Sequence, residues 1–178
     1  MKQIFINSRF LTQAQTGSQI FAGEISRRLK KILPTCAFIA PKNIVNGDLA
    51  SELGCETFGH FTGHLWEQVE LPLFLRAKGR PLLVNLVNTA PLWYKNKTVT
   101  VHDLSFMHYP KAVSRNFFLY YNFLIPRIVR NSLHVFTVSD FARKDISENC
   151  GVASEKITVI GNAASEQYRV VASDERRR

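Results

Sequence analysis

Short apolar runs alternate along this chain with longer stretches whose apolar residues recur every three or four positions. Lys2 to Ile6 predicts a first strand. Thr16-Gly17-Ser18-Gln19 then has the pattern of a capping box, in which the threonine hydroxyl accepts a helix-start amide and the glutamine reaches back. Phe21, Ile25 and Leu29, with Ile32 near the same face, predict the buried stripe of that helix, and Pro34 stops it. Cys36 to Ala40 predicts a second strand, Asp48 to Leu53 a short helix closed by Gly54, and Cys55 to Phe58 a weak third strand. Leu65 to Lys78 is helical in composition, with Pro72 expected to kink or restart it. Leu82 to Leu86 and Thr98 to Val101 predict two more strands, joined by a loop around Thr89 to Asn96. Ser114 to Arg130 predicts an aromatic-rich helix interrupted at Pro126, and Leu133 to Val138 a strand. Ser139 or Asp140 caps a helix that Gly151 ends, and Ile157 to Ile160 is a last strand. The alternation predicts an α/β fold: a Rossmann-like parallel sheet of about seven strands with helices on both faces.

One strand end carries chemistry. Val99-Thr100-Val101-His102-Asp103-Leu104-Ser105 is a β-branched run that stops at a His-Asp pair and passes into a loop. A buried parallel strand looks like this when it delivers polar groups to its carboxyl end, where open α/β sheets bind ligands.

The 178 residues suit a single domain, and 46% hydrophobic with 21% charged residues suits a globular chain. A net charge of +9 fits anionic partners such as a nucleotide diphosphate or a phospholipid surface, and equally a merely basic exterior. No helix-turn-helix, RRM or zinc-finger pattern points to nucleic acid. Cys36, Cys55 and Cys150 are odd in number and include no CxxC pair, which argues against a disulfide framework or structural zinc and fits a reducing cytoplasm. The longest greasy segment, Phe117 to Ile125, is shorter than the roughly 20 apolar residues that a membrane helix needs.

Nicotinamide and P-loop chemistry fit poorly. No GxGxxG follows the first strand, Pro41 and Lys42 stand where an acid would hold a ribose, and no GxxxxGK[ST] occurs. What remains is Thr16-Gly17 at a helix start, where free amides favour an anion, although a capped helix after a loop explains it as well.

An ordered set of short motifs resembles one family. Thr16-Gly17 with Phe21-Ala22 and Glu24-Ile25, Leu65-Trp66-Glu67-Gln68, Glu70-Leu71-Pro72 and His102-Asp103-Leu104-Ser105 come first; Tyr120-Tyr121, Ile125-Pro126-Arg127, Val138-Ser139 with Phe141, and Lys156-Ile157 with Val159-Ile160 follow. Together, from about Lys2 to Tyr168, they resemble the N-terminal domain of glycosyltransferase family 4, the retaining GT-B enzymes, on the branch that builds bacterial O-antigen, capsule or exopolysaccharide. The resemblance implies a cleft between two Rossmann-like halves, the first receiving the acceptor and the second gripping the nucleotide-sugar, with no metal or further cofactor. It implies a catalytic His102 facing donor sugar and acceptor, Asp103 orienting its loop, Gly17 with Thr16 approaching the donor phosphates, and Ser139 as a helix cap. The implied partners are a nucleotide-sugar donor and a glycan or lipid-linked acceptor, in the cytoplasm or at the inner face of the plasma membrane. Two positions depart from the family: Ile20 stands where close relatives carry arginine, and Gly161-Asn162-Ala163 replaces Pro-Asn-Gly.

Asn88 and Thr89, with Asn85, follow a strand end and either contact acceptor or cap their loop. His64 and His60 precede Trp66 and are candidates for the acceptor side. The aromatics of Phe117 to Ile125 read as core or interdomain packing before a carbohydrate platform. The expected organisation is an acceptor-side domain over 1–162, a truncated linker or tail over 163–178, and no C-terminal donor domain. Three readings follow: half of a glycosyltransferase working with a donor-domain polypeptide in trans, an inactive truncated remnant, or a basic module that binds an anionic membrane surface. An exposed apolar cleft face is expected with the first.

Overall fold

The computed structural model describes residues 3–163, and every strand pairing in it is parallel. The strands are β1 (Ile4–Asn7), β2 (Ala37–Ala40), β3 (Glu56–Thr57), β4 (Leu82–Asn85), β5 (Lys97–Thr100), β6 (His134–Thr137) and β7 (Ile157–Val159). They form one seven-stranded sheet in the order β3-β2-β1-β4-β5-β6-β7. The chain therefore winds outward from β1 in one direction, returns, and winds outward in the other, so the strand order reverses between β1 and β4. In doubly wound sheets that reversal opens a crevice at the carboxyl edge.

Side-chain alternation assigns the helices to the two faces. Ile6, Phe38 and Leu86 pack with α1 (Gly17–Ile32) and α2 (Gly47–Leu53). Phe5, Ile39 and Leu83, one residue out of step, pack under Trp66, Leu71 and Leu75. Val99, Val135 and Ile157 extend that second face beneath α6 (Arg115–Asn131) and α7 (Asp140–Cys150). Period-2 burial of both faces is what a parallel sheet requires. Glycines Gly54 (φ 65°) and Gly151 (φ 65°) close α2 and α7 in the left-handed conformation expected of them.

Three local expectations are corrected. The buried side of α1 is Ala22, Gly23 and Ser26; Phe21, Ile25 and Leu29 flank it half-buried, and Ile32 is 73% exposed. Small residues win because the helix lies close to α2: a Cβ on Gly23 would sit 3.0 Å from Leu49 Cδ2. Pro126 does not interrupt α6, which runs unbroken. Its neighbours Leu124, Ile125, Ile128 and Val129 are buried, and the Arg127 guanidinium donates to the Phe123 carbonyl (2.7 Å) beside the missing amide. Packing of that stripe offsets the lost hydrogen bond. The strand before His102 ends at Thr100, so His102 sits in the loop beyond it.

Pro72 acts as expected but through a π turn. The short α3 (Gly63–Leu65) passes into Trp66–Glu70, where the Leu71 amide bonds back to the Trp66 carbonyl, and α4 (Leu71–Ala77) restarts with Pro72 in its first turn. A proline has no amide to continue the ladder, and one extra residue in the turn absorbs the mismatch. The turn leaves the consecutive Trp66 and Glu67 both buried, at 0% and 1% exposure. Trp66 hydrogen-bonds the Phe58 carbonyl at 3.1 Å, and its burial stabilises the fold by roughly 2–3 kcal/mol.

Candidate functional site

A groove of about 720 Å³ lies at the carboxyl edge of the sheet, between the first turns of α1 and α7 and the loops after β4, β5 and β7. His102 forms part of its wall. Its backbone amide donates to Asn88 Oδ1 at 2.9 Å, and its ring Nε2 lies 3.2 Å from the Leu86 carbonyl. A carbonyl only accepts, so Nε2 carries the proton and Nδ1 is left as an acceptor. The Phe21 ring meets the imidazole edge to face at 4.9 Å. Burial pushes the His102 pKa below its ordinary value, against the opposing pull of the Leu86 carbonyl and Asp103. The ring is therefore a neutral, oriented hydrogen-bonding group at pH 7 rather than a cation.

Asp103 is exposed, and its Oδ1 accepts the Ser105 amide at 2.8 Å, starting α5 (Ser105–His108) and fixing the loop. Gly17 and Ser18 reach the groove from α1; Thr16, one residue earlier, is exposed and pairs with Gln19 in the predicted capping box. Nothing lies within 4 Å of a Cβ built on Gly17, so the backbone there is open to a ligand. Ser139 caps α7, accepting the Ala142 amide at 3.1 Å. Two helix amino termini thus border one groove, an arrangement that favours an anion. Ile20 lines the same groove and is 48% exposed.

Gly17, Asn88, His102 and Asp103 line one groove, whereas the candidates Thr16, Thr89, His64 and His60 do not. Thr89 is buried at 1% exposure, and its hydroxyl accepts from Arg9 at 2.7 Å; the loop turns it inward, away from any acceptor. His64 lies in a separate pocket, beside Tyr120 and Tyr121 on α6. His60 is exposed beside Glu70.

A buried polar network at the β1/β4 switch point has no counterpart in the sequence reading. Asn7 Nδ2 donates to Glu67 Oε1 (2.8 Å) and to Asn85 Oδ1 (2.9 Å), while Arg9 Nε donates to Glu67 Oε1 (3.2 Å). Burial alone would push the Glu67 carboxyl up; Arg9, with His64 and Thr89, overrides it and holds the pKa at about 2. The available signal was weak: polar Asn7-Ser8-Arg9 after the first strand, and Glu67 inside a motif known only by resemblance.

The sheet order, the parallel pairing and the strand-end groove define a Rossmann-like domain of the GT-B kind. The family model described as Glycosyltransferase Family 4 matches residues 57–167, and the chain belongs to that family. Over 96 residues it is 32% identical to the O-antigen chain mannosyltransferase RfbU of Salmonella typhimurium (strain LT2), a match that covers 54% of this chain and 26% of that protein. Its fold is similar to that in the crystal structure of Anabaena Alr3699/HepE in complex with UDP and glucose, with a TM-score of 0.57 and 14% identity. That likeness covers 99% of this chain and 49% of the other, so the chain spans about half the length of the solved relative.

Proposed function

We propose that this chain is the acceptor-side half of a glycosyltransferase that moves a sugar from a nucleoside diphosphate to an acceptor hydroxyl, with retention, in surface-polysaccharide synthesis. The observation that carries the reading is the placement of His102: a neutral, oriented imidazole on the wall of a groove bordered by two helix amino termini. Diphosphate charge suits those amino termini. His102 is suited to holding a sugar or acceptor hydroxyl, with Asn88 and Asp103 fixing its loop. Family membership and the resemblance to an O-antigen mannosyltransferase support the chemistry and the polysaccharide setting. The described residues form one wall of the groove, and the other is assigned to a donor-binding half. The +9 charge supports work at an anionic membrane surface, where a lipid-linked acceptor would be presented.

The test is transfer in lysates of cells that express the chain together with its neighbouring reading frames, supplied with a panel of nucleoside-diphosphate sugars. Mass spectrometry of the lipid-linked glycans should show a gain of one sugar with one donor, and none with His102→Ala. No gain with any donor would support the inactive-remnant reading instead.

A further inference from the structure

A second cavity, of about 610 Å³, opens between the start of α3 and the first turns of α6. Its working surface is His64, Gln68, Asn116, Phe117, Tyr120 and Tyr121. The expected core-packing helix is thus divided: Leu124 and Ile125 are buried, while these earlier aromatics line a pocket. Helices that return between parallel strands run against them, so the first turns after β3 and β5 lie at the carboxyl edge of the sheet, as His102 does. One loop joins the two cavities. Gln68 donates to the Ala90 carbonyl (2.9 Å) and accepts the Leu92 amide (2.8 Å), and two residues before Ala90, Asn88 holds the His102 amide (2.9 Å).

The chemistry of the pocket selects its occupant. Tyr121 stacks on Phe117 (centroids 3.9 Å apart, 17° between planes), and Tyr120 packs 5.0 Å from His64. Behind these rings, the buried His64 Nδ1 and Glu67 Oε2 face each other at 3.5 Å. Tyr121 Oη lies 3.4 Å from His64 Nε2, a loose contact that a bound hydroxyl would tighten. No Lys, Arg, Asp or Glu lines the pocket, and the Arg9–Glu67 pair behind it carries no net charge, so the site selects neither an anion nor a cation. A purely aliphatic chain would cover the Tyr121 hydroxyl and the Asn116 amide without offering either a partner. A neutral sugar ring has both an apolar CH face for the aromatics and hydroxyls for the histidine and tyrosine.

We propose that this pocket binds one neutral sugar ring of the acceptor glycan, separate from the ring whose hydroxyl reacts at the His102 groove. Tyr120 and Tyr121 supply the stacking surface, His64 and Tyr121 Oη take a hydroxyl, and Gln68 links occupancy to the loop that holds His102. The proposal rests on reading the His102 groove as the transfer site.

The experiment is an NMR titration of the labelled 178-residue chain. The probes are methyl α-mannopyranoside, methyl β-galactopyranoside, the methyl β-glycoside of N-acetylglucosamine, and farnesol as an apolar probe. At least one glycoside should shift His64, Asn116 and Tyr120 resonances with a Kd of roughly millimolar order. Tyr121→Phe should weaken that binding about tenfold, the worth of one hydrogen bond, and Tyr120→Ala should abolish it, with the other resonances unmoved as the check on folding. The proposal is overturned by shifts confined to the His102 groove, by none with any glycoside, or by shifts with farnesol alone. Shifts confined to that groove leave the transferase reading standing. Conversely, glycoside binding here with no sugar transfer in the lysate assay would sink the transferase reading and leave a sugar-binding pocket.

Discussion

Glu67→Gln is the substitution whose cost follows most directly from the geometry. Glu67 is 1% exposed, shares Oε1 between Asn7 and Arg9, and is paired with an Arg9 that is itself 6% exposed. Glutamine can keep an acceptor for Asn7 but leaves the Arg9 guanidinium buried without its counter-charge, which costs about 3–5 kcal/mol. A second route gives a similar size. A carboxyl held at about 2 instead of its ordinary 4.5 stabilises the fold by about 3 kcal/mol, each pKa unit being worth 1.36 kcal/mol. The sign follows from the lowered pKa: this stability is fully present above pH 4.5 and is lost as the pH falls toward 2. Urea unfolding followed by circular dichroism reads both effects. At pH 7 the Glu67→Gln midpoint should fall by about 1.5 M, taking a slope near 2 kcal/mol per M. Between pH 5 and pH 2.5 the wild type should lose stability faster than the variant, so that their curves converge. Replacing both partners, Arg9→Met with Glu67→Leu, should recover part of the loss. A Glu67→Gln protein within about 0.5 kcal/mol of wild type at pH 7, or one with the same acid slope, refutes the claim that this ion pair holds the switch point together.

His102 should titrate by NMR below its ordinary 6.5, with Nε2 as the protonated nitrogen near neutrality; a midpoint above 6.5 or an Nδ1–H tautomer contradicts the site geometry. Because that pKa is lowered, transfer activity that depends on the neutral ring should fall only on the acid side, below 6.5, in a pH–rate profile. Gly59→Ala should destabilise by about 2 kcal/mol or more in thermal unfolding, since φ is 89° and the added Cβ would run into Glu70 and Trp66; an unchanged melting temperature would refute it. Ile20→Arg should leave stability within about 0.5 kcal/mol and tighten pyrophosphate binding in a salt-sensitive way by calorimetry; unchanged affinity would remove Ile20 from the anion side of the groove.

What the sequence discloses here depends on whether the deciding physics is local. The strands, the Thr16 and Ser139 caps and the Gly54 and Gly151 stops are written in neighbouring residues, and they were legible. The His102-Asp103 pair was legible as polar residues just past a β-branched run, although the strand itself stops two residues before His102, at Thr100. The buried side of α1 was misread, because close approach to α2 selects Ala22, Gly23 and Ser26 over the larger residues beside them. Pro126 was misread, because packing rather than propensity decides the fate of a helix interior. Thr89 and Arg9 lie 80 positions apart, and their hydrogen bond exists only once β1 and β4 are neighbours. The same holds for His64 and Tyr121, 57 positions apart, so no window of sequence shows the pocket they share.

The central claim is that the groove around His102 is where a sugar is transferred. It is tested most directly by replacing the chromosomal His102 codon with that for alanine and weighing the cell's lipid-linked surface glycan by mass spectrometry, since this reads the protein in whatever company it normally keeps. The account predicts a glycan arrested one sugar short, with the altered chain still present and folded; a full-length glycan in normal amount would contradict it.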